Sequence, residues 1–81
     1  MNEQQARDTI LGVLRQIAPE ADFTELEPDV ELREQLDIDS MDFLNFVIGI
    51  HEQTGIDIPE EDYDEMATLN GCARYLVKAG A

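Results

Sequence analysis

The segment from residue 39 to residue 55 constrains the fold most, because apolar side chains at helical spacing lie between a start signal and a stop signal. Asp39 can accept backbone N–H bonds at the first turn, and Asp42 completes a capping-box pattern. Gly55 suits the left-handed position that ends a helix. The apolar stripe between them consists of Met41, Phe43, Leu44, Phe46, Val47, Ile48 and Ile50. We expect so apolar a helix to be the central, mostly enclosed element of a bundle.

Two further helices are predicted by apolar periodicity. The first runs from about Glu3 to Ala18 and ends before Pro19, because the residue before a proline avoids helical geometry. The last is capped by Thr68 and runs to about Lys78, and Pro59 begins a short acidic helical turn over residues 60–63. The residues predicted to face the core are Ala6, Ile10, Val13, Leu14 and Ile17 in the first helix and Leu69, Cys72, Ala73, Leu76 and Val77 in the last.

The linker from Pro19 to Asp39 is long and acidic, and Pro28 interrupts it. Since a structureless loop of roughly 20 residues is unusual in a compact domain, we expect an ordered loop with a short helical turn near Glu31–Gln35. The segment Ile56-Asp57-Ile58 alternates like a strand, but no other segment could pair with it. The predicted fold is therefore all-α: a small four-helix bundle, with three longer helices and one short, and a long ordered loop between the first two. We expect residues 1–81 to form a single domain.

Charge narrows the range of partners. The 81 residues include 19 Asp or Glu and only 5 Lys or Arg, which gives a net charge of −14. Phosphate-mediated nucleic-acid binding requires a basic footprint, so nucleic acid is excluded as a partner, and an anionic membrane would repel the chain. No stretch approaches the ~20 apolar residues of a membrane span, and the N-terminus lacks the features of a signal peptide. We expect a cytoplasmic monomer without membrane insertion, which binds basic partners.

No metal site or catalytic residue is predicted. A calcium loop that starts at Asp37 fails because Met41 and Asp42 occupy its fifth and sixth positions. Ser40 and His51 are the only serine and histidine, but on one helix they lie roughly 16 Å apart along the axis. A general base must lie within about 3 Å of its nucleophile. Cys72, the only cysteine, is expected to be an inert core thiol, so the chain is predicted not to be an enzyme.

Ser40 is the remaining candidate for chemistry. It follows the capping Asp39 at the first turn of the apolar helix. One alternative is that Ser40 shares in capping, as serine often does. Because Asp39 already supplies the cap, the hydroxyl is left free to face solvent, where the helix N-terminus would stabilise an attached phosphate. Ser40 is therefore a candidate site for a phosphate ester.

The segment Leu36–Leu44, with the sequence LDIDSMDFL, resembles the phosphopantetheine attachment motif of acyl carrier proteins, whose core is Asp-Ser-Leu. The resemblance extends over nearly the whole chain through its length, its acidity, Leu26, Pro28 and Leu32 in the loop, the segment Gly55–Glu60, and Ala67-Thr68-Leu69. It implies that a phosphopantetheinyl transferase, with coenzyme A and Mg²⁺, attaches 4′-phosphopantetheine covalently to Ser40. The arm would carry acyl intermediates as thioesters, and Asp39 would help to position the transferase's metal and coenzyme.

The resemblance also implies a surface that docks on basic patches of acyl-loading, synthase or acyltransferase enzymes. Its residues here are Met41, Asp42, Asn45, Ile48, His51 and Glu52, and those that could shelter an acyl chain are Phe46, Val47, Ile50 and Leu76. General fatty-acid carriers usually have acidic residues at the positions of Asn45 and His51 and Leu at that of Met41. We therefore expect a free-standing carrier for a specialised fatty-acid, polyketide or lipid pathway. An aminoacyl or peptidyl carrier for nonribosomal chemistry, and an unmodified acidic interaction module, are the alternatives.

Overall fold

The computed structural model describes residues 1–80, and Ala81, the last residue of the predicted domain, lies outside them. The described chain forms five helices and no strand: α1 (Glu3–Ile17), α2 (Leu32–Leu36), α3 (Ser40–Thr54), a 3₁₀ helix (Glu60–Met66) and α4 (Leu69–Ala79). The prediction of a small all-α bundle is confirmed. The helical turn expected near residues 31–35 is α2, and Ile56–Ile58 is a connector, as expected.

Helix α1 begins at a capping box that the sequence analysis did not identify. The Asn2 side chain accepts the Gln5 backbone N–H at 2.8 Å, and the Gln5 side chain accepts the Asn2 N–H at 2.9 Å. The helix ends at Ile17, and the N–H of Ala18 donates to the Leu14 carbonyl at 2.8 Å. Two of the N–H groups that a helix start leaves without intrahelical partners are thus satisfied by neighbouring side chains.

The central element of the bundle is α1, which packs against both α3 and α4. The prediction that α3 is the enclosed helix is therefore wrong. Its buried residues are Phe46, Val47 and Ile50, whereas Met41, Leu44 and Ile48 are 63%, 39% and 45% exposed. The apolar stripe of α3 extends further around the helix than α1 covers.

A close approach of α1 and α3 occurs at Gly49. A Cβ atom at this position would lie 2.7 Å from Cγ1 of Val13, nearer than real Cβ atoms come. The core formed at this contact and at the α1–α4 contact comprises Ala6, Ile10, Val13, Leu14, Leu32, Phe46, Val47, Ile50, Met66, Leu69, Cys72, Ala73 and Leu76. Of the predicted core residues, Ile17 and Val77 are only partly buried and pack against its edge.

In the loop between α1 and α2, three backbone groups form hydrogen bonds with the side-chain amide of Gln35. Gln35 accepts the N–H of Glu27 at 2.8 Å and donates to the carbonyls of Glu27 and Val30 at 2.7 and 2.9 Å. The apolar loop residues that pack against the core are Phe23, Leu26 and Leu36. These contacts confirm the expectation of an ordered loop.

Asn70 of α4 also holds this loop. Its backbone N–H donates to the Pro28 carbonyl at 3.0 Å, and its side-chain amide donates to the Asp29 carboxylate at 2.7 Å. The Asn70 side-chain oxygen accepts from Arg7, which also pairs with Glu3 at 2.9 Å. A polar network therefore joins the loop to α1 and α4.

The 3₁₀ helix and α4 meet at a tight corner. Pro59 lies just before the 3₁₀ helix rather than at its first position, and the helix continues to Met66, beyond the four residues predicted. Thr68 caps α4 as predicted, since its hydroxyl accepts the Gly71 N–H at 3.0 Å. A Cβ at Gly71 would lie 2.5 Å from the Glu65 carbonyl oxygen, so this corner requires glycine.

Candidate functional site

The junction between α2 and α3 aims the start of α3 at solvent. Asp37 ends α2 in the left-handed conformation, with φ of 52°, which aspartate tolerates better than most residues. Ile38 is only 8% exposed, so this side chain anchors the junction to the protein interior. Asp39 is extended, and Ser40 is the first residue of α3. Four successive residues therefore prepare the site: Asp37 turns the backbone, Ile38 is buried, Asp39 caps α3, and Ser40 is exposed.

The N-terminus of α3 is capped without the hydroxyl of Ser40. The Asp39 Oδ1 atom accepts the Asp42 N–H at 2.8 Å, and the Asp42 carboxylate lies 3.5 Å from the Asp39 nitrogen, at the outer limit for the reciprocal bond. The predicted capping box is therefore present, and Ser40 is exposed beside it. An exposed hydroxyl at a helix N-terminus is open to an enzyme and favours the attachment of an anionic group.

A cleft of about 280 Å³ opens beside Ser40. This Ser40 cleft is lined by Glu31, Arg33, Ser40, Phe43, Leu44, Tyr63, Asp64 and Ala67, from α2, α3, the 3₁₀ helix and the residue that follows it. One wall is therefore apolar and aromatic, and charged groups lie at other points of the lining. The group that the resemblance implies, a phosphodiester followed by a largely neutral arm, fits this combination of an exposed hydroxyl and an adjoining cleft.

A second cleft, of about 410 Å³, lies further along α3 and is lined by Val47, Ile48, His51, Asp57, Ile58, Pro59 and Tyr63. Tyr63 lines both clefts, and its ring contacts Phe43 edge to face with centroids 6.2 Å apart. The two clefts follow the side of α3 that faces the 3₁₀ helix. Tyr63 is the only non-acidic residue between positions 60 and 65, and this feature of the sequence could have identified it as the residue that faces α3.

The four residues named for an acyl pocket share one buried cluster. Phe46, Ile50 and Leu76 are fully buried, and Val47 is 3% exposed and also lines the second cleft. The residues beside Ser40 are different ones: Arg33, Phe43, Leu44 and Tyr63 were not named as site residues from the sequence.

The residues named for docking lie along α3. Met41, Asn45, Ile48, His51 and Glu52 are exposed, whereas Asp42 is half-buried and engaged in the cap. This row therefore presents two apolar and three polar side chains to solvent.

His51 lies at the last turn of α3, whereas Ser40 begins this helix. The His51 Nδ1 atom lies 2.9 Å from the Ile56 carbonyl oxygen and 3.5 Å from the Asp57 carboxylate. His51 thus contacts the connector that leaves α3.

The thiol of Cys72 is fully buried, and it donates a hydrogen bond to the Met66 carbonyl at 3.0 Å. Burial raises the pKa of this thiol to about 12, because the thiolate would lose its hydration. The prediction of a buried core thiol is confirmed. Over residues 1–80, no group of three or more His, Cys, Asp or Glu side chains is arranged to hold a metal ion. In the same part of the chain, no helix combines the length and apolar character needed to cross a bilayer.

The chain is similar to known proteins over most of its length. A family model described as a phosphopantetheine attachment site matches residues 7–76. An acyl carrier protein of Rubrobacter xylanophilus is 28% identical over 75 residues, which cover 89% of this chain and 93% of that protein. One from Streptomyces coelicolor is 29% identical over 80 residues, covering 99% and 87%. One from Renibacterium salmoninarum is 32% identical over 65 residues, covering 80% and 75%.

Proposed function

Since the chain belongs to the acyl carrier protein family, whose members carry covalent 4′-phosphopantetheine and perform no catalysis, we propose that Ser40 is its attachment residue. When bound, the group supplies a thiol that holds cargo as a thioester. We further propose that residues 1–81 act as one domain, which presents acyl intermediates to successive enzymes as a cytoplasmic monomer. A flexible tether raises the effective concentration of its cargo at each of them.

The exposure of Ser40 at the start of α3 carries this proposal. It is the only serine in the chain, so no second serine competes for modification. The cap formed by Asp39 and Asp42 leaves its hydroxyl outside the helix-start hydrogen bonds. The N–H groups and the dipole of α3 favour the negative charge that a phosphodiester brings.

Asp39 has two roles in this proposal. One carboxylate oxygen, Oδ1, accepts the Asp42 N–H and holds the first turn of α3. The other oxygen is available to the metal ion and coenzyme held by a phosphopantetheinyl transferase. The carboxylate therefore both orients Ser40 and contributes to the environment in which the transferase acts.

Partner choice is proposed to depend on the exposed row of α3. The net charge of −14 accelerates encounter with basic synthase or acyltransferase enzymes. Met41 and Ile48, with Asn45 and His51 beside them, then provide apolar and neutral contacts rather than a continuous acidic strip. This composition supports a carrier for a specialised fatty-acid, polyketide or lipid pathway, whose acyl chain is sheltered near Phe46, Val47, Ile50 and Leu76.

The attachment site is tested by incubating the apo protein with coenzyme A, Mg²⁺ and a promiscuous phosphopantetheinyl transferase. Wild type and the control Thr24→Ala, an exposed hydroxyl in the loop, should each gain one phosphopantetheine by mass. Ser40→Ala should gain none. Modification of Ser40→Ala would refute the site, and an unmodified wild type would refute the proposal that this chain is a substrate.

The cargo is tested separately by isolating the holo protein from cells, releasing its thioesters and identifying them by mass. An acyl thioester is expected, in keeping with the names of the relatives, and the proposal specifies a fatty or polyketide chain. An amino acid or peptide thioester would instead favour the nonribosomal alternative.

A further inference from the structure

A cation beside the attachment residue is unusual in a chain with only 5 Lys or Arg among 81 residues. Arg33, on α2, lines the Ser40 cleft together with Ser40 itself. The ion pairs found within residues 1–80 involve Arg7 and His51, and Arg33 takes part in neither. Arg33 is an exposed residue, and its guanidinium is therefore available to an anionic group brought into the cleft.

The surroundings of Ser40 are acidic. Asp39 and Asp42 flank it in the chain, and Glu31 and Asp64 line the same cleft. A phosphodiester attached to Ser40 adds one more negative charge to this group. The N-terminus of α3 offsets part of this repulsion, and a cation in the cleft can offset more.

We propose that Arg33 binds the phosphodiester of the arm attached to Ser40 and so directs the arm into the Ser40 cleft; this inference depends on the proposed attachment site. The guanidinium is suited to the task because its planar set of N–H donors matches two phosphate oxygens at once. From this position the arm passes the apolar wall formed by Phe43, Leu44 and Tyr63. Arg33 is thus a positioning residue for the arm.

The test compares holo proteins of wild type, Arg33→Gln, Arg33→Lys and the matched control Arg15→Gln. Arg15 is exposed on the last turn of α1 and is not part of the Ser40 cleft lining. Arg15→Gln changes the net charge by the same amount as Arg33→Gln but leaves the cleft intact. Each variant is first loaded with coenzyme A and a phosphopantetheinyl transferase, and loading is confirmed by mass. The ³¹P resonance of the phosphodiester is then recorded over a sodium chloride series, and apo and holo melting temperatures are compared.

In wild type and Arg15→Gln, we expect a ³¹P resonance displaced from that of the same phosphodiester in holo protein unfolded by urea, which is the free value. The resonance should return toward this free value as salt weakens the pair. In Arg33→Gln, the resonance should lie near the free value at every salt concentration, and Arg33→Lys should be intermediate because it keeps the charge without the planar fork. The change in melting temperature from apo to holo should be less favourable in Arg33→Gln than in Arg15→Gln by about 1–8 °C, the range expected for one exposed ion pair in a domain of this size.

The outcomes separate this inference from the proposed function. If wild type accepts no phosphopantetheine, both are overturned. If all variants are loaded but Arg33→Gln has the wild-type resonance and salt response, the role of Arg33 is overturned and the attachment site stands. Equal effects in Arg33→Gln and Arg15→Gln would also overturn it, because they would reflect net charge alone.

Discussion

The thiol of Cys72 should be unreactive in the native protein, so that the holo form presents one reactive thiol, at the end of its arm. Cys72 is fully buried on α4, and its thiol donates a hydrogen bond to the Met66 carbonyl within the core. The thiolate is the nucleophilic form of cysteine, and burial raises the pKa of this thiol to about 12.

The size of the effect follows from this pKa. At pH 8, a thiol with a pKa of about 12 is ionised to about 10⁻⁴, whereas an exposed thiol with a pKa of about 8.5 is ionised to about one quarter. Ionisation alone therefore slows the reaction by about three orders of magnitude. Reaction through the unfolded state is no faster, because a domain stable by about 5 kcal/mol is unfolded for only about 2 × 10⁻⁴ of the time.

The assay is a chromogenic disulfide exchange at pH 8 on apo protein, holo protein and the apo form of Cys72→Ala. Apo wild type should release no chromophore during the time in which free cysteine reacts completely, and holo wild type should release one equivalent. Denaturant should add one further equivalent to both wild-type forms and none to Cys72→Ala. Native apo wild type that reacts within tenfold of the rate of free cysteine would refute the reasoning.

Three more predictions concern a helix end, a tyrosine and net charge. Gly55→Ala should lower the free energy of unfolding by about 1 kcal/mol, because Gly55 has φ of 74°. Gly12 lies in open space within α1, so Gly12→Ala should raise the free energy of unfolding by about 0.5–1 kcal/mol. Urea unfolding that gave both changes the same sign would contradict this. The Tyr75 hydroxyl donates to the Asp62 carboxylate at 2.7 Å, and this hydrogen bond raises the pKa of Tyr75 to about 12. In a Tyr63→Phe background, where Tyr75 is the only tyrosine, tyrosinate absorbance should therefore rise near pH 12. Asp62→Asn should move the midpoint of this rise toward about pH 10. Because the folded pKa is the higher one, the stability contributed by this pair is complete below about pH 10 and is lost as the pH rises through 12; an unchanged midpoint in Asp62→Asn would disprove the role of that carboxylate. The melting temperature should rise with sodium chloride or millimolar Mg²⁺, which screen repulsion within a chain of net charge −14, and a flat series would show that this repulsion is small.

Helix ends were predicted well where the sequence signal is one capping residue or two residues three positions apart. Asp39 caps α3, Gly55 ends it in the left-handed conformation, and Thr68 caps α4. Each depends on hydrogen bonds or backbone angles within one turn, so no knowledge of the rest of the fold is needed. The cap at Asn2 and Gln5 has a signal of the same kind, which the apolar periodicity of α1 did not reveal.

The burial of α3 was predicted less well, for a different reason. Its apolar stripe indicates which residues avoid water on average, but coverage depends on where α1 lies. The close contact of Gly49 with Val13 places α1 over Phe46, Val47 and Ile50 and leaves Met41 and Ile48 exposed. The sequence analysis had assigned Met41 and Ile48 both to the stripe and to the docking surface, and their exposure agrees with the second assignment.

The candidate site also has a part that could be predicted from the sequence and a part that could not. The position of Ser40 at the start of α3 and outside the cap could be predicted, because it depends on Asp39 and Asp42 alone. That Arg33 and Tyr63 share a cleft with Ser40 could not be predicted, since they come from α2 and the 3₁₀ helix; the acidic run around Tyr63 indicates only that this residue faces α3. These elements reach Ser40 only after the chain has folded.

The sequence by itself determined the helical class, the caps of α3 and α4 and the exposed serine at the start of α3, because these depend on interactions between residues within about one turn. The tertiary structure alone decided which helix is central, how the loop is held by Gln35 and Asn70, and which side chains share the Ser40 cleft. Such contacts join residues far apart in the chain, and they follow from how the helices pack rather than from any local pattern.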